Sequence, residues 1–104
     1  MNTNTALSNP SVVFFKNYKQ NIQRARETLF TELNNASPDF AKEARKILYE
    51  KLASNQNKPL LGELFPWIIK DLVKGNAEAT HKVSVAWLAI YLYTLFLDDY
   101  VDNP

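Results

Sequence analysis

Cysteine is absent from the 104 residues, which excludes a disulfide framework, a thiolate metal site and a cysteine nucleophile. His81 is the single histidine, so a multi-histidine zinc site is excluded too. Glycine is confined to Gly62 and Gly75, and neither a dinucleotide fingerprint nor a phosphate-cradling P-loop can be assembled from them. An excess of one charge is also lacking. Twelve Lys and Arg stand against 11 Asp and Glu, for a net charge of +1, which is too balanced for a dedicated nucleic-acid binder. The longest predominantly apolar charge-free run, Val83 to Leu97, has 15 residues. That is short of the roughly 18–20 that span a bilayer, and no stable membrane insertion is expected. Residues 1–9 are rich in Asn and Thr, without the basic start and apolar run of a secretory signal, so a cytoplasmic protein is expected.

Hydrophobic residues make up 46% of the chain and aromatics 12%, enough to build a core. Residues 1–10 read as a disordered N-terminus, and four helical stretches follow. Over Ser11 to Asn34, Phe15, Tyr18, Ile22, Ala25, Leu29 and Leu33 recur at steps of three and four, one apolar stripe on a helix. Residues 1–26 hold four basic groups and no acid, which reads as a solvated helix face. The second stretch opens with Ser37 as N-cap, Pro38 at the first helical position and Asp39 where the helix dipole favours an anion. Phe40, Ala44, Ile47, Leu48 and Leu52 form its expected buried stripe, and Ser54 to Asn57 a polar loop. The third stretch pairs Leu60/Leu61, Leu64/Phe65, Ile68/Ile69 and Leu72/Val73. Pro66 predicts a kink or a fresh start near Phe65, and Gly75 a left-handed stop. The fourth starts at Asn76 and is apolar on every side through Val83 to Leu97, the pattern of a helix buried all round. No hairpin signal occurs, so the class is all-α, an antiparallel bundle of about four helices.

That last helix delivers Asp98-Asp99-Tyr100-Val101-Asp102, three of the chain's five aspartates. Asp98 and Asp102 share a face at four-residue spacing, while Asp99 points about 100° away. Like charges at that spacing repel, and carboxylates at a helix C-terminus oppose the dipole. A solvated helix end explains the cluster plainly; hard divalent cations would compensate it, since carboxylate oxygens suit Mg²⁺.

Asp98 to Asp102 resembles the first aspartate-rich motif, DDxxD, of class I isoprenoid synthases, the trans-prenyl diphosphate synthases and class I terpene synthases. The helix order from about Ser11 onward resembles them as well. The resemblance implies a partial isoprenoid-synthase-type fold over residues 11–104. It also implies a catalytic set of Asp98, Asp99 and Asp102 in which Asp98 and Asp102 bind Mg²⁺ and a prenyl diphosphate is ionised. Trp87, Tyr93, Thr94 and Phe96 would then line the substrate pocket, with a ring face available to a cation. Each of these aromatics also reads as ordinary core. In elongating synthases a Gly-Gly-Lys-Arg-x-Arg-Pro stretch grips isopentenyl diphosphate. Here Leu60-Leu-Gly-Glu-Leu-Phe-Pro66 keeps the proline but not the cations, and Glu63 would repel a diphosphate. A terpene-synthase-like lyase is therefore favoured over a chain-elongating transferase. A non-catalytic helical interaction module is the other class of reading. With one acidic motif and no second to face it, the 104 residues are expected to be an incomplete bundle, inactive alone, for which a homodimer remains open. His81 is expected at the surface or in a cap.

Overall fold

The computed structural model describes the backbone of residues 10–102 and the side chains of residues 18–98, 100 and 101. The expectation for residues 1–10 lies outside them, apart from Pro10, which opens the first helix. Among the described residues four helices follow in order: α1 (Pro10–Ala36), α2 (Pro38–Ser54), α3 (Leu61–Val73) and α4 (Ala77–Asp102). No strand occurs among the described residues, and the all-α bundle expected from the sequence is the fold.

The helix boundaries follow local chemistry. Ser37 alone separates α1 from α2; its backbone is extended and its hydroxyl accepts from the Phe40 N–H at 3.3 Å, satisfying a donor the helix start would orphan. Asn76 caps α4 in the same way, its side-chain oxygen accepting from the Ala79 N–H at 2.9 Å. Gly75 does not take the left-handed stop. Lys74 does, with φ 54°, and the Gly75 N–H reaches the Lys70 carbonyl at 2.7 Å. The turn is needed one residue before the glycine.

No fresh start occurs at Phe65: α3 runs unbroken with Pro66 inside it. Pro66 lies in the second turn and removes only the bond to the Gly62 carbonyl. Burial of Leu64 and Trp67 on either side holds the helix together.

Side-chain pairs fix the packing. Arg45 of α2 reaches back to Glu27 of α1 at 3.1 Å and lies over the Phe30 ring, so α1 and α2 form an antiparallel hairpin. Arg26–Glu63 and Tyr18–Asp71 place α3 antiparallel to α1. Arg24–Glu78 and Thr28–His81 run in ascending order, so α4 lies parallel to α1. The core, Leu29, Phe30, Ala44, Leu48, Leu52, Leu88 and Leu92, gathers one stripe each from α1, α2 and α4.

Two burial expectations are corrected. Phe40 is exposed, and Ala41 takes its place in the α2 stripe; the α2 face turns slightly, leaving Phe40 to stack on Phe96 at 4.9 Å. The α4 helix is not buried all round. Leu88 and Leu92 are inside, whereas Val83, Ile90, Tyr93, Leu97 and Val101 are exposed, because α1, α2 and α3 reach only part of its circumference. Over Ala77–Asp98 this helix is long and apolar enough to cross a membrane by length and composition, although its charge-free run is shorter.

Candidate functional site

The α4 helix continues through Asp102, so Asp98 and Asp102 stand one turn apart on one side of it. Asp98 is exposed, and among the described residues no cation or hydrogen-bond donor meets it. The side chains of Asp99 and Asp102 lie outside the description. Among the described side chains no three acidic or histidine residues gather into a metal site. Asp98, exposed near the C-terminal end of α4, presents carboxylate oxygens of the kind Mg²⁺ accepts.

At about 100° per residue, Asp98 shares its side of α4 with Thr94, Tyr91 and Trp87. Next to this side runs the uncovered apolar stripe of Val83, Ile90 and Leu97. The candidate pocket residues divide between faces. Trp87 is half-buried, stacked on Tyr91 with ring centroids 5.1 Å apart. It lies flat on Gly62, where a Cβ would fall inside the indole ring. Trp87 and Tyr91 line a cavity of about 600 Å³ whose rim is Asn55 to Leu61. Thr94 is exposed, its hydroxyl donating to the Tyr91 carbonyl at 2.6 Å. Tyr93 is exposed on the far edge of the stripe. With Phe96, Phe40 and Leu33 it lines a separate groove of about 320 Å³. Phe96 is on the side of α4 opposite Asp98, about 200° round the helix, where it packs on Phe40.

The structure gives Glu63 a different task from repelling a diphosphate. Its carboxylate is 5% exposed and accepts from Arg26 Nε at 2.6 Å and Nη2 at 2.8 Å, a bidentate ion pair. It also accepts from the Leu60 N–H at 2.8 Å, closing the start of α3. Burial pulls the Arg26 pKa down, but the hydrogen bonds and charge of Glu63 outweigh it and leave the guanidinium above its ordinary value. A signal for this pair was present in the sequence: Arg26 sits four residues after Ile22 and before Phe30, on the buried stripe, and Glu63 is the only charge between Leu60 and Ile69.

His81 is neither at the surface nor a cap. It is 6% exposed, its Nε2 lies 3.2 Å from Thr28 Oγ1, and its buried Nδ1 meets no partner among the described residues. The helix turns it inward, between α1 and α4. Burial lowers its pKa, Arg24 lowers it further, and Glu78 partly opposes both. Between this lowered value and the ordinary 6.5, the unfolded chain binds a proton that the folded one does not. Stability is therefore full above pH 6.5 and falls as the pH drops toward the folded value. Urea denaturation at stepped pH should show that decline, and His81→Gln should flatten it. An unchanged slope in the variant would assign the decline to other groups.

Comparison with family models, with characterised proteins and with solved structures gives no match for this chain.

Proposed function

We propose that these helices are the N-terminal part of a Mg²⁺-dependent class I isoprenoid synthase that ionises a prenyl diphosphate. The observation that carries the reading is that Asp98, which meets no partner among the described residues, stands on α4 beside an exposed apolar stripe one step round the helix. A substrate with a charged head and an apolar tail needs that juxtaposition.

Asp98 and Asp102 would hold the metal. Mg²⁺ bound there supplies Lewis-acid neutralisation of the charge that grows on the departing diphosphate. The allylic carbon–oxygen bond breaks with its electron pair leaving on the diphosphate. Ile90, Leu97 and Thr94 would line the tail's side of the helix. Trp87 is already stacked on Tyr91 and packed against Gly62, so its ring braces the wall and is not aimed at the cation. Tyr93 stands at the margin, and Phe96 braces α4 against α2 through Phe40.

The buried engagement of Glu63 supports the single-substrate, terpene-synthase-like form. The Leu60–Pro66 stretch closes α3 and pairs with Arg26, and it brings no cation for a second diphosphate. A chain-elongating synthase is the alternative. One observation favours a non-catalytic helical module instead: Val83, Ala86, Ile90, Tyr93, Leu97 and Tyr100 fall on alternating three- and four-residue steps, as a coiled-coil seam does. Turnover separates these readings. The full-length protein with Mg²⁺ and a prenyl diphosphate is expected to release diphosphate, and Asp98→Ala to reduce the rate on the order of 100-fold or more. Release that needs isopentenyl diphosphate would favour elongation. No release at any prenyl length would favour the module.

A further inference from the structure

The outward side of α3 forms a second apolar surface, which adjoins the Asp98 side of α4 at Val83 and Trp87 but lies at the opposite end of that helix from Asp98. Leu61, Phe65, Ile69 and Leu72 recur at helical spacing along its whole length, each more than half exposed, and Val73 joins them. Phe65, Ile69 and Val73 border a shallow groove of about 420 Å³ shared with Ala79 and Val83 of α4. The opposite side of α3, Leu64 and Trp67, is already used in the core, so this stripe is surplus to the fold. A contiguous exposed apolar patch of this kind marks an interaction surface.

The charges around the stripe decide what fits it. Lys58 borders Leu61, Lys70 lies in the groove, Lys74 ends α3 beside Val73, and Lys82 precedes Val83. The acids of the same region are each paired, Asp71 partly with the groove lysine Lys70 itself. Glu63 is buried on Arg26, Glu78 pairs with Arg24 at 3.2 Å, and Asp71 accepts from Tyr18 and lies 3.4 Å from Lys70. The bond to Asp71 pushes the Tyr18 hydroxyl up to about 12 and holds the Asp71 carboxyl below its ordinary value. Among the described residues Lys58, Lys74 and Lys82 pair with no acid. The rim is cationic and the floor apolar. A symmetric contact with a second copy would set this cationic rim against itself, which like-charge repulsion disfavours. An anionic lipid surface satisfies both parts, with apolar side chains entering the acyl boundary and lysines meeting the headgroups.

We infer that α3, with the start of α4, is a peripheral docking surface for an anionic membrane. The surface involves neither Asp98 nor the metal reading. The test is flotation of the 104-residue chain with vesicles of phosphatidylcholine alone and of phosphatidylcholine with about one-third phosphatidylserine. Binding is expected to the anionic vesicles only, and to weaken as salt rises. Joint replacement Lys74→Glu and Lys82→Glu should weaken it at least about tenfold. The exposed pair Phe65→Gln and Leu72→Gln should abolish it while circular dichroism stays unchanged. Asp98→Ala should bind as the parent does, so failure here and failure of the synthase reading are distinguishable. Three outcomes would overturn the inference: no flotation, equal flotation with neutral vesicles, or a dimer in sedimentation velocity that disappears in the Phe65/Leu72 variant while vesicle binding is missing.

Discussion

Glu63→Ala is expected to destabilise the protein by about 3–5 kcal/mol, the cost of leaving one member of a buried ion pair without its partner. A domain of this size has about 5–15 kcal/mol in total, so the variant should sit near the edge of folding. Two effects combine. Arg26, with a side chain only 10% exposed, would keep a desolvated guanidinium without the carboxylate that accepts its two donated bonds. The Leu60 N–H would lose its acceptor at the start of α3 as well, a cap worth about 1 kcal/mol. Arg26→Ala should cost a similar amount by stranding the carboxylate. Replacing both together, Arg26→Met with Glu63→Leu, should recover much of the loss, because no charge is then left unpaired. Urea denaturation of the single and double variants reads this directly. Single variants that each cost under about 1 kcal/mol would mean that the pair is solvated.

Leu88→Ala and Ile90→Ala should differ sharply although they lie two residues apart on one helix. Leu88 is 1% exposed inside the core, against Leu29, Leu48 and Leu92, and truncation should cost about 2–5 kcal/mol through lost burial and the cavity left behind. Ile90 is 64% exposed, and its truncation should stay within about 0.5 kcal/mol, as surface substitutions do. The contrast checks that α4 is covered on one side only. Comparable losses at both positions would mean that something covers Ile90 in solution, and sedimentation of the parent protein would show whether it is a second copy.

Much of the helical framework was legible because its punctuation is local. Ser37 and Pro38 mark one boundary and Asn76 another, and each acts through atoms within four residues. The α1 stripe of Ile22, Ala25 and Leu29 was legible from its period. The orientation of α3 and α4 was not. Both are apolar on more than one side, and a period cannot choose a face when every face qualifies. Arg26 and His81 escaped for a different reason. Each is polar on a packed face, and what permits its burial lies far away in sequence, at Glu63 and at Thr28. At the candidate site the acidic run was legible as a motif. The angular relation of Asp98 to Thr94 and Trp87 follows from helix geometry. That Phe96 turns away from Asp98 follows from the same geometry, about 200° for two residues; that it meets Phe40 there depends on the packing of α2.

The most direct measurement is a thermal shift of the full-length protein with Mg²⁺ and inorganic diphosphate, alone and together. Together they should raise the midpoint by about 4 °C or more, as a ligand well above its dissociation constant does for a small domain, while either alone does little. Asp98→Ala should remove the shift and leave the unliganded midpoint in place, since Asp98 is exposed and meets no described partner. A shift of the same size in Asp98→Ala, or none in the parent protein, would contradict a metal-held diphosphate at the end of α4.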